Sequence, residues 1–271
     1  MNQEEQWLLT EKYRGVESEA FHADLVLLNS GTPLGYLIGT IPFLNCVIHL
    51  DSQPLIPRTE TEFWTEKAIE AIQKNELKQS YVLDLCAGSG AIGVAVAKSI
   101  PGAHVTFSEI DSAHLPTIQK NIDSNLQTAT SSRSVLEQQS DTEKRISVVQ
   151  SDLFAALPKS ADCSSTDLER LEGGYDFILT NPPYIDPALD RTETSVKMHE
   201  PHLALYGGTD GMECIVRIIA ETRTHLSSNG QLWIEHEPEQ SEAIAILGKE
   251  AGFTTTTHKD QYGIERYTVL Q

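Results

Sequence analysis

The sequence lacks long apolar runs and closely spaced cysteines. No stretch of about 18 consecutive apolar residues occurs among its 271 residues, so a membrane span is not predicted. The first residues, MNQEEQWLLTEKYRG, do not combine a basic stretch with an apolar one, and no signal peptide is expected. The four cysteines, Cys46, Cys86, Cys163 and Cys214, form no CxxC pair. This spacing argues against a structural zinc site, and isolated thiols fit a reducing, cytoplasmic location.

Positive charge is also scarce. Twenty Lys and Arg residues face 39 Asp and Glu residues, and the formal net charge is −19. Phosphate backbones repel such a surface unless a basic patch compensates, and the sequence contains no cluster of Lys and Arg that would form one. We therefore do not expect a nucleic acid as the main partner. The alternative interpretation of the charge is that it only maintains solubility.

Three regions follow one another along the chain. Apolar residues at helical spacing predict a short helical segment over 1–31. Residues 32–56 contain β-rich runs that predict a hairpin with strands at Ile41–Phe43 and Cys46–Leu50. Residues 57–271 form the large catalytic domain, which opens with a loop and a helix at about Glu62–Lys74.

Short apolar runs alternate with helical stretches through the large domain, which predicts an α/β sheet with right-handed crossovers. The last two runs are separated by only KDQYG, so they are expected to form an antiparallel hairpin. Two polar segments, 127–144 and 159–174, are predicted to be surface loops. The predicted strands are Tyr81–Leu85, His104–Glu109, Ile146–Gln150, Tyr175–Thr180, Gln231–His236, Phe253–His258 and Arg266–Leu270.

A glycine-rich turn follows the first of these strands, in the segment YVLDLCAGSGAIGVAVAKS. Open α/β sheets bind ligands at such turns. Dinucleotide enzymes hold a pyrophosphate on G-x-G-x-x-G, but here Cys86 occupies the first glycine position and Asp84 precedes the turn. An acidic residue would repel a pyrophosphate, whereas it suits the cationic amino-acid end of S-adenosylmethionine. We therefore expect this cofactor to be bound by Asp84, Cys86, Ala87, Gly88, Ser89 and Gly90.

Acidic residues also follow the next two strands. Glu109 ends the second strand, where a carboxylate can accept both hydroxyl protons of a ribose, and Asp111 is the alternative. Asp152 follows the third strand, where it can meet the amino group of adenine. Glu109 and Asp152 can instead serve as helix caps.

The segment NPPY, Asn181–Tyr184, directly follows the apolar strand YDFILT. An amide nitrogen is a weak nucleophile because its lone pair is delocalised, so a site for it must hold the NH2 group by accepting its protons. Asn181 supplies a side-chain carbonyl and Pro182 a backbone carbonyl. Pro182 and Pro183 lack N–H donors and stiffen the loop, and Tyr184 can stack on a planar amide or base. An ordinary turn is the alternative.

NPPY after the fourth strand, with DLCAGSGAIG upstream, resembles the amino-methyltransferases that act on planar nitrogen in nucleic-acid bases or in protein glutamine. Three further segments resemble the HemK/PrmC-type peptide chain release factor glutamine N5-methyltransferases. They are PLGYLIGTIPFLNCVIHLDSQPLIPRTETE, HEPHLALYGGTDGMECIVRII, and GQLWIEHEPEQ followed by D-x-x-G-x-x-R at Asp260, Gly263 and Arg266. A methyltransferase of adenine N6 or guanine N2 remains the alternative.

The resemblance implies a Rossmann-like class I methyltransferase fold, S-adenosylmethionine as cofactor, and methylation of the glutamine in the GGQ loop of a release factor. It implies that NPPY forms the glutamine pocket, and that Glu109, Asp152 and Leu153 join the loop at 86–90 in holding the cofactor. Charged residues would shape or brace the entrance: Arg58, Glu60, Glu62 and Glu200. The sequence departs from the family at Cys86, where glycine is usual, and at Leu153, where some members have an aromatic residue.

Overall fold

The computed structural model describes residues 1–75, 79–126, 145–159, 174–189 and 191–271. The predicted surface loops at 127–144 and 159–174 lie outside the described residues, apart from the end residues Lys159 and Gly174. In the part of the chain that is described, no helix is both long enough and apolar enough to cross a membrane.

The amino-terminal residues form short helices that are followed by a hairpin, as predicted. Leu8, Phe21, Leu28 and Leu37 give this segment a small apolar core of its own. The helices are α1 (Gln3–Trp7), a π-helical turn (Leu8–Lys12), α2 (Glu19–Asn29), α3 (Leu34–Ile38), α4 (Thr59–Lys74), α5 (Ala91–Ser99), α6 (Leu115–Leu126), α7 (Thr194–His199), α8 (His202–Leu205), α9 (Glu213–Thr222) and α10 (Ser241–Glu250). The strands are β1 (Thr40–Phe43), β2 (Cys46–His49), β3 (Tyr81–Leu85), β4 (His104–Glu109), β5 (Ile146–Gln150), β6 (Tyr175–Thr180), β7 (Leu226–Glu235), β8 (Thr255–Lys259) and β9 (Glu265–Leu270).

The large domain is built on a seven-stranded sheet with the order β5-β4-β3-β6-β7-β9-β8. The five neighbouring strands β5, β4, β3, β6 and β7 are parallel to one another. Strand β9 is antiparallel to both of its neighbours, β7 and β8. This arrangement confirms the predicted mostly parallel sheet with a carboxyl-terminal antiparallel hairpin. The hairpin folds back so that β9, the later strand, lies inside and β8 forms the edge.

Several predicted strand ends differ from the structure by one or two residues, and two predicted starts are wrong by three residues or more. Strand β7 begins at Leu226 rather than Gln231, because the polar residues before Gln231 continue the pairing through an irregularity opposite Tyr175. Helix α4 begins at Thr59 rather than Glu62, because its first turn takes up acidic residues that were assigned to the preceding loop. Carboxylates are favourable there, since the amino-terminal end of a helix is electropositive.

Helices cover both faces of the sheet. Alternate residues of each strand point to opposite faces, so Val82 and Phe177 pack with α4, α5 and α6 while Leu83 and Ile178 pack with α9 and α10. A parallel sheet buried on both faces explains why its strands are apolar almost throughout. Asn121 then fastens the β1–β2 hairpin to this domain, because its side-chain amide bonds both backbone groups of His49 and the carbonyl of Ser89.

Gly93 brings α5 into close contact with the sheet. A Cβ at this position would lie 2.4 Å from Cε1 of Phe107 and 3.0 Å from Cβ of Asp84, and the Phe107 ring is fully buried. We expect Gly93→Ala to lower the free energy of unfolding by about 1–3 kcal/mol, the usual cost of overpacking a core. Urea denaturation measures this change. Gly35→Ala in α3 is the control, because its Cβ would meet nothing closer than 3.3 Å, and an equal loss there would contradict the explanation.

Candidate active site

A cavity of about 420 Å³ lies at the carboxyl ends of the central strands. This is the size of a small-molecule site and the place where open α/β sheets bind ligands. The structure brings most of the predicted cofactor residues to its wall. Those that line it are Cys86, Ala87, Gly88, Ser89, Glu109, Asp111, Asp152, Leu153 and Asn181, together with Pro183 of the NPPY loop.

The turn after β3 follows a left-handed path. Cys86, Gly88 and Gly90 have φ values of +62°, +56° and +77°. Glycine tolerates this region and a thiol-bearing residue does so at a cost, which explains why a glycine is usual at the position of Cys86. A Cβ on Gly88 would meet no atom within 4 Å, so the backbone of Gly88 borders open space.

The carboxylate of Glu109 holds this turn in place. One oxygen accepts the N–H of Gly88 at 2.7 Å and the other accepts the N–H of Asp111 at 2.9 Å. Each carboxylate oxygen has a second lone pair, so Glu109 can still accept protons from a ligand. Glu109 therefore shapes the cavity and also lines it.

Two of the predicted cofactor residues, Asp84 and Gly90, do not line the cavity. The side chain of Asp84 is fully buried. One of its oxygens accepts the N–H of Gly93 at 2.8 Å, and the other has no hydrogen-bond partner among the described residues. Burial raises the pKa of this carboxyl well above its usual range, and the neighbouring charge of Glu109 raises it further. An unpartnered buried oxygen behind the turn would be satisfied by a cationic or hydroxylic group.

The residues after β5 form the opposite wall of the cavity. The carboxylate of Asp152 is half exposed and pairs with Arg217 at a distance of 3.0 Å. Leu153 is buried, has a φ of +50°, and accepts the hydroxyl of Ser108 on its carbonyl. The wall at Leu153 is therefore aliphatic where an aromatic ring occurs in some members.

The NPPY loop separates the large cavity from a second one of about 230 Å³. Pro183 lines the large cavity, whereas Pro182 and Tyr184 line the second. Asn181 lines both. The side chain of Asn181 thus stands at the boundary where a group bound on one side would meet a group bound on the other.

Two glycines and a glutamine hold the NPPY loop from behind. A Cβ on Gly211 would lie 1.9 Å from the carbonyl oxygen of Tyr184, and one on Gly207 would lie 2.5 Å from that of Pro183. The side-chain amide of Gln240, which is buried, donates to the carbonyl of Tyr184 at 2.9 Å. The glycines of the YGGTDG segment are therefore needed so that the loop can close against them.

A second deeply buried carboxylate is that of Glu235, at the end of β7, with 1% of its surface exposed. Its Oε2 accepts the hydroxyl of Thr61 at 2.7 Å and the indole N–H of Trp64 at 2.6 Å, and its Oε1 accepts the hydroxyl of Tyr184 at 2.9 Å. Burial raises the pKa of Glu235, although these three donors oppose the shift. Burial and Glu235 also hold the pKa of Tyr184 well above its usual range.

Thr61 and Glu235 were missed by the sequence analysis. Thr61 fell in the loop predicted before the helix and was given no role, yet it lines the large cavity and its oxygen accepts the side-chain amide of Asn181 at 3.2 Å. Glu235 belongs to the segment GQLWIEHEPEQ, whose resemblance to the family was noted without a role for any residue. An acidic residue at the end of an otherwise apolar strand was the available signal.

The charged residues near the entrance brace the chain before α4. Glu200 is buried and accepts the guanidinium of Arg58 at 2.6 Å and the N–H of Ile56 at 3.1 Å. Glu62 accepts the N–H of Leu44 in the hairpin. Glu60 accepts the hydroxyl of the neighbouring Thr59. These contacts fix the segment whose residues Leu55 and Pro57 line the large cavity.

Comparison with known proteins identifies the family. The chain is 32% identical over 246 residues to the release factor glutamine methyltransferase of Rhodopirellula baltica, covering 89% of this chain and 74% of that protein. It is 31% identical over 238 residues to the enzyme of the same name from Bifidobacterium longum, covering 87% and 74%. The chain belongs to the release factor glutamine methyltransferase family.

Two further similarities agree with this family at the level of the fold. A family model described as lysine methyltransferase matches residues 58–163, which is less than half of the chain. A 16S rRNA methyltransferase of T. thermophilus, solved in complex with AdoMet and guanosine, shares 17% identity and a TM-score of 0.53, over 86% of this chain and 49% of that one. The fold is that of class I methyltransferases, whose cofactor is S-adenosylmethionine.

The large cavity fits this cofactor. The carboxylates of Glu109 and Asp111 suit hydroxyl and amino groups, and the open backbone at Gly88 lets a ligand approach closely. The unpartnered oxygen of Asp84 lies behind the same turn. When bound, S-adenosylmethionine supplies a methyl group on a cationic sulfur.

The pair Glu109 and Asp111 allows the cofactor contact to be tested. Glu109→Gln replaces one carboxylate oxygen by an NH2 group, which then faces a backbone N–H of Gly88 or Asp111. We expect the Kd for S-adenosylmethionine to rise about 10- to 100-fold, because a hydrogen bond to a charged group contributes about 1.5–3 kcal/mol.

Isothermal titration calorimetry measures the Kd. Asp111→Asn is the matched control, because Asp111 lines the same cavity, while its side chain accepts the nearby N–H of Ala113 and lies 4.0 Å from Nε2 of His114 without holding the turn at Gly88. We expect the Asp111→Asn variant to change the Kd by less than about threefold. A larger effect at Asp111 than at Glu109 would transfer the ribose role to Asp111.

Proposed function

We propose that the chain transfers a methyl group from S-adenosylmethionine to the side-chain nitrogen of the glutamine in the GGQ loop of a peptide chain release factor, a step that acts on translation termination. Family membership supports this reaction. The observation that carries it is the position of Asn181 in the walls of two adjoining cavities. The large cavity would hold the cofactor, and the second cavity would admit the glutamine.

The chemistry required of the chain is positioning. The side-chain oxygen of Asn181 and the backbone carbonyl of Pro182 would each accept an N–H of the glutamine amide, which turns the nitrogen lone pair towards the large cavity. As the new bond to carbon forms, the bond from carbon to sulfur breaks, and the nitrogen then releases a proton. No strong base is needed before the attack, so rate enhancement comes from orientation and electrostatics.

Nucleic-acid bases are the competing acceptors, because the adenine and guanine amino groups are also planar. The fold is shared with an rRNA methyltransferase, but at 17% identity this similarity concerns the fold alone. The formal net charge of −19 opposes binding to a phosphate backbone. Both considerations favour a protein acceptor.

A labelled-methyl transfer assay tests the proposal. The purified chain is incubated with methyl-labelled S-adenosylmethionine and a recombinant release factor, and the modified residue is mapped by mass spectrometry. We expect label on the glutamine of GGQ and none on the same factor carrying alanine there. Label that appears only on added tRNA or rRNA, and that nuclease removes, would replace this proposal with the nucleic-acid alternative.

Asn181 should affect turnover without affecting the cofactor. We expect Asn181→Ala to lower kcat by about 100-fold or more, as removal of one positioned group in an electrostatic site does, while the Kd for S-adenosylmethionine stays within about threefold. Steady-state kinetics and calorimetry measure the two quantities. Asn125→Ala is the control, because Asn125 bonds Val47 and Asn121 and lines neither cavity. Equal loss of cofactor binding in Asn181→Ala would show that the role is misassigned.

A further inference from the structure

We propose that Thr61 and Glu235 are positioning residues, which fix the Asn181 amide with its oxygen towards the acceptor and keep the hydroxyl of Tyr184 from donating into the site. The inference rests on the proposed function of Asn181. It is carried by a chain of contacts in the described residues: Glu235 to Thr61 at 2.7 Å, and Thr61 to Asn181 at 3.2 Å.

Trp64 determines which groups donate and which accept in this series of hydrogen bonds. An indole nitrogen can only donate a hydrogen bond, and that of Trp64 lies 2.6 Å from Oε2 of Glu235. The hydroxyls of Thr61 and Tyr184 also reach this carboxylate, so three donors surround it. Three donors match the ionised carboxylate, whose oxygens only accept, so the hydroxyl of Thr61 donates to Oε2.

A threonine hydroxyl has a single proton. Because that proton is given to Glu235, the oxygen of Thr61 can only accept from Asn181. Asn181 must then turn its NH2 group towards Thr61, which leaves its carbonyl oxygen for another partner. The hydrogen-bond network thus selects one of two amide orientations that have nearly the same shape.

The selected orientation is the one that the proposed reaction needs. A glutamine amide offers two N–H groups, and an inverted Asn181 would place its own NH2 against them. Donor facing donor leaves both groups unsatisfied where water is excluded, which disfavours binding of the amide in that orientation. Thr61 itself has 2% of its surface exposed, so water cannot substitute for its hydroxyl.

The hydroxyl of Tyr184 is held by the other carboxylate oxygen of Glu235, Oε1. Its hydroxyl donates to Oε1 of Glu235 at 2.9 Å, and its ring lines the second cavity. The phenol proton is therefore held on the side of Glu235. The NPPY loop consequently presents carbonyl acceptors and proline rings to the boundary between the cavities, and its one hydroxyl donor is already engaged.

The test compares Thr61→Val, which removes the hydroxyl at nearly constant volume, with Thr61→Ser, which keeps it. We expect Thr61→Val to lower kcat for methylation of the release factor about 10- to 100-fold, and Thr61→Ser to restore it to within about threefold of the unmodified chain. The Kd for S-adenosylmethionine should change by less than about threefold in both. Thr65→Val is the control, because Thr65 is a fully buried threonine one turn further along α4 whose hydroxyl bonds only the carbonyl of Thr61.

A double-mutant cycle separates positioning from a general structural effect. If Thr61 acts through Asn181, then Thr61→Val should have no further effect on kcat in the Asn181→Ala background. Additive losses, or equal losses in Thr65→Val and Thr61→Val, would overturn the proposal.

A measurement made without any methyl acceptor, the exchange rate of the Asn181 side-chain NH2 protons, tests this inference separately from the proposed function. In protein labelled with nitrogen-15 at asparagine, the side-chain NH2 signal of Asn181, assigned by its loss in Asn181→Ala, should exchange slowly in the unmodified chain and in Thr61→Ser but quickly in Thr61→Val. Slow exchange that is unchanged in Thr61→Val would refute the network. Absence of methyl transfer with the exchange pattern intact would refute the proposed function alone.

Discussion

The buried carboxylate of Glu235 is the interaction on which the arrangement of the site depends. Removing a carboxylate from water costs several kcal/mol unless hydrogen bonds replace the lost hydration, and here three donors do so. Two of them come from α4, through Thr61 and Trp64, and the third is Tyr184 of the NPPY loop. One carboxylate thereby joins the end of β7, the first turns of α4 and the loop after β6, which are distant from one another in sequence.

The sheet could be predicted from sequence because its strands are buried on both faces. The apolar runs Tyr81–Leu85 and Tyr175–Thr180 have the predicted bounds, since a strand covered on both faces is apolar over most of its length. The start of β7 was missed because residues 227–230 are Ser, Ser, Asn and Gly, and because the pairing with β6 shifts register between Tyr175 and Phe177. The inner position of β9 depends on tertiary pairing that no local pattern encodes.

The loops of the site could be predicted where the required backbone conformation restricts which residue types can occur. A turn that needs positive φ near Gly88 and Gly90 requires small residues, and a loop that must lack donors requires prolines, so both were visible. The residues that hold these loops from behind could not be recognised in the sequence. Thr61, Gln240 and Glu235 act through contacts across more than 50 positions of the chain. Only Glu235, as an acidic residue at the end of an apolar strand, carries a local signal.

The match to a lysine methyltransferase model includes the glycine-rich turn after β3 and stops before the NPPY loop. It ends at residue 163, whereas the NPPY loop begins at Asn181. A lysine ammonium has no lone pair until a base removes a proton, and the buried carboxylate beside this loop, Glu235, already accepts three hydrogen bonds. A neutral amide needs no such base, only acceptors for its two N–H groups. Under the proposed function, the matched segment would hold the methyl donor, and Asn181 with Thr61 and Glu235 behind it would determine what receives the methyl group.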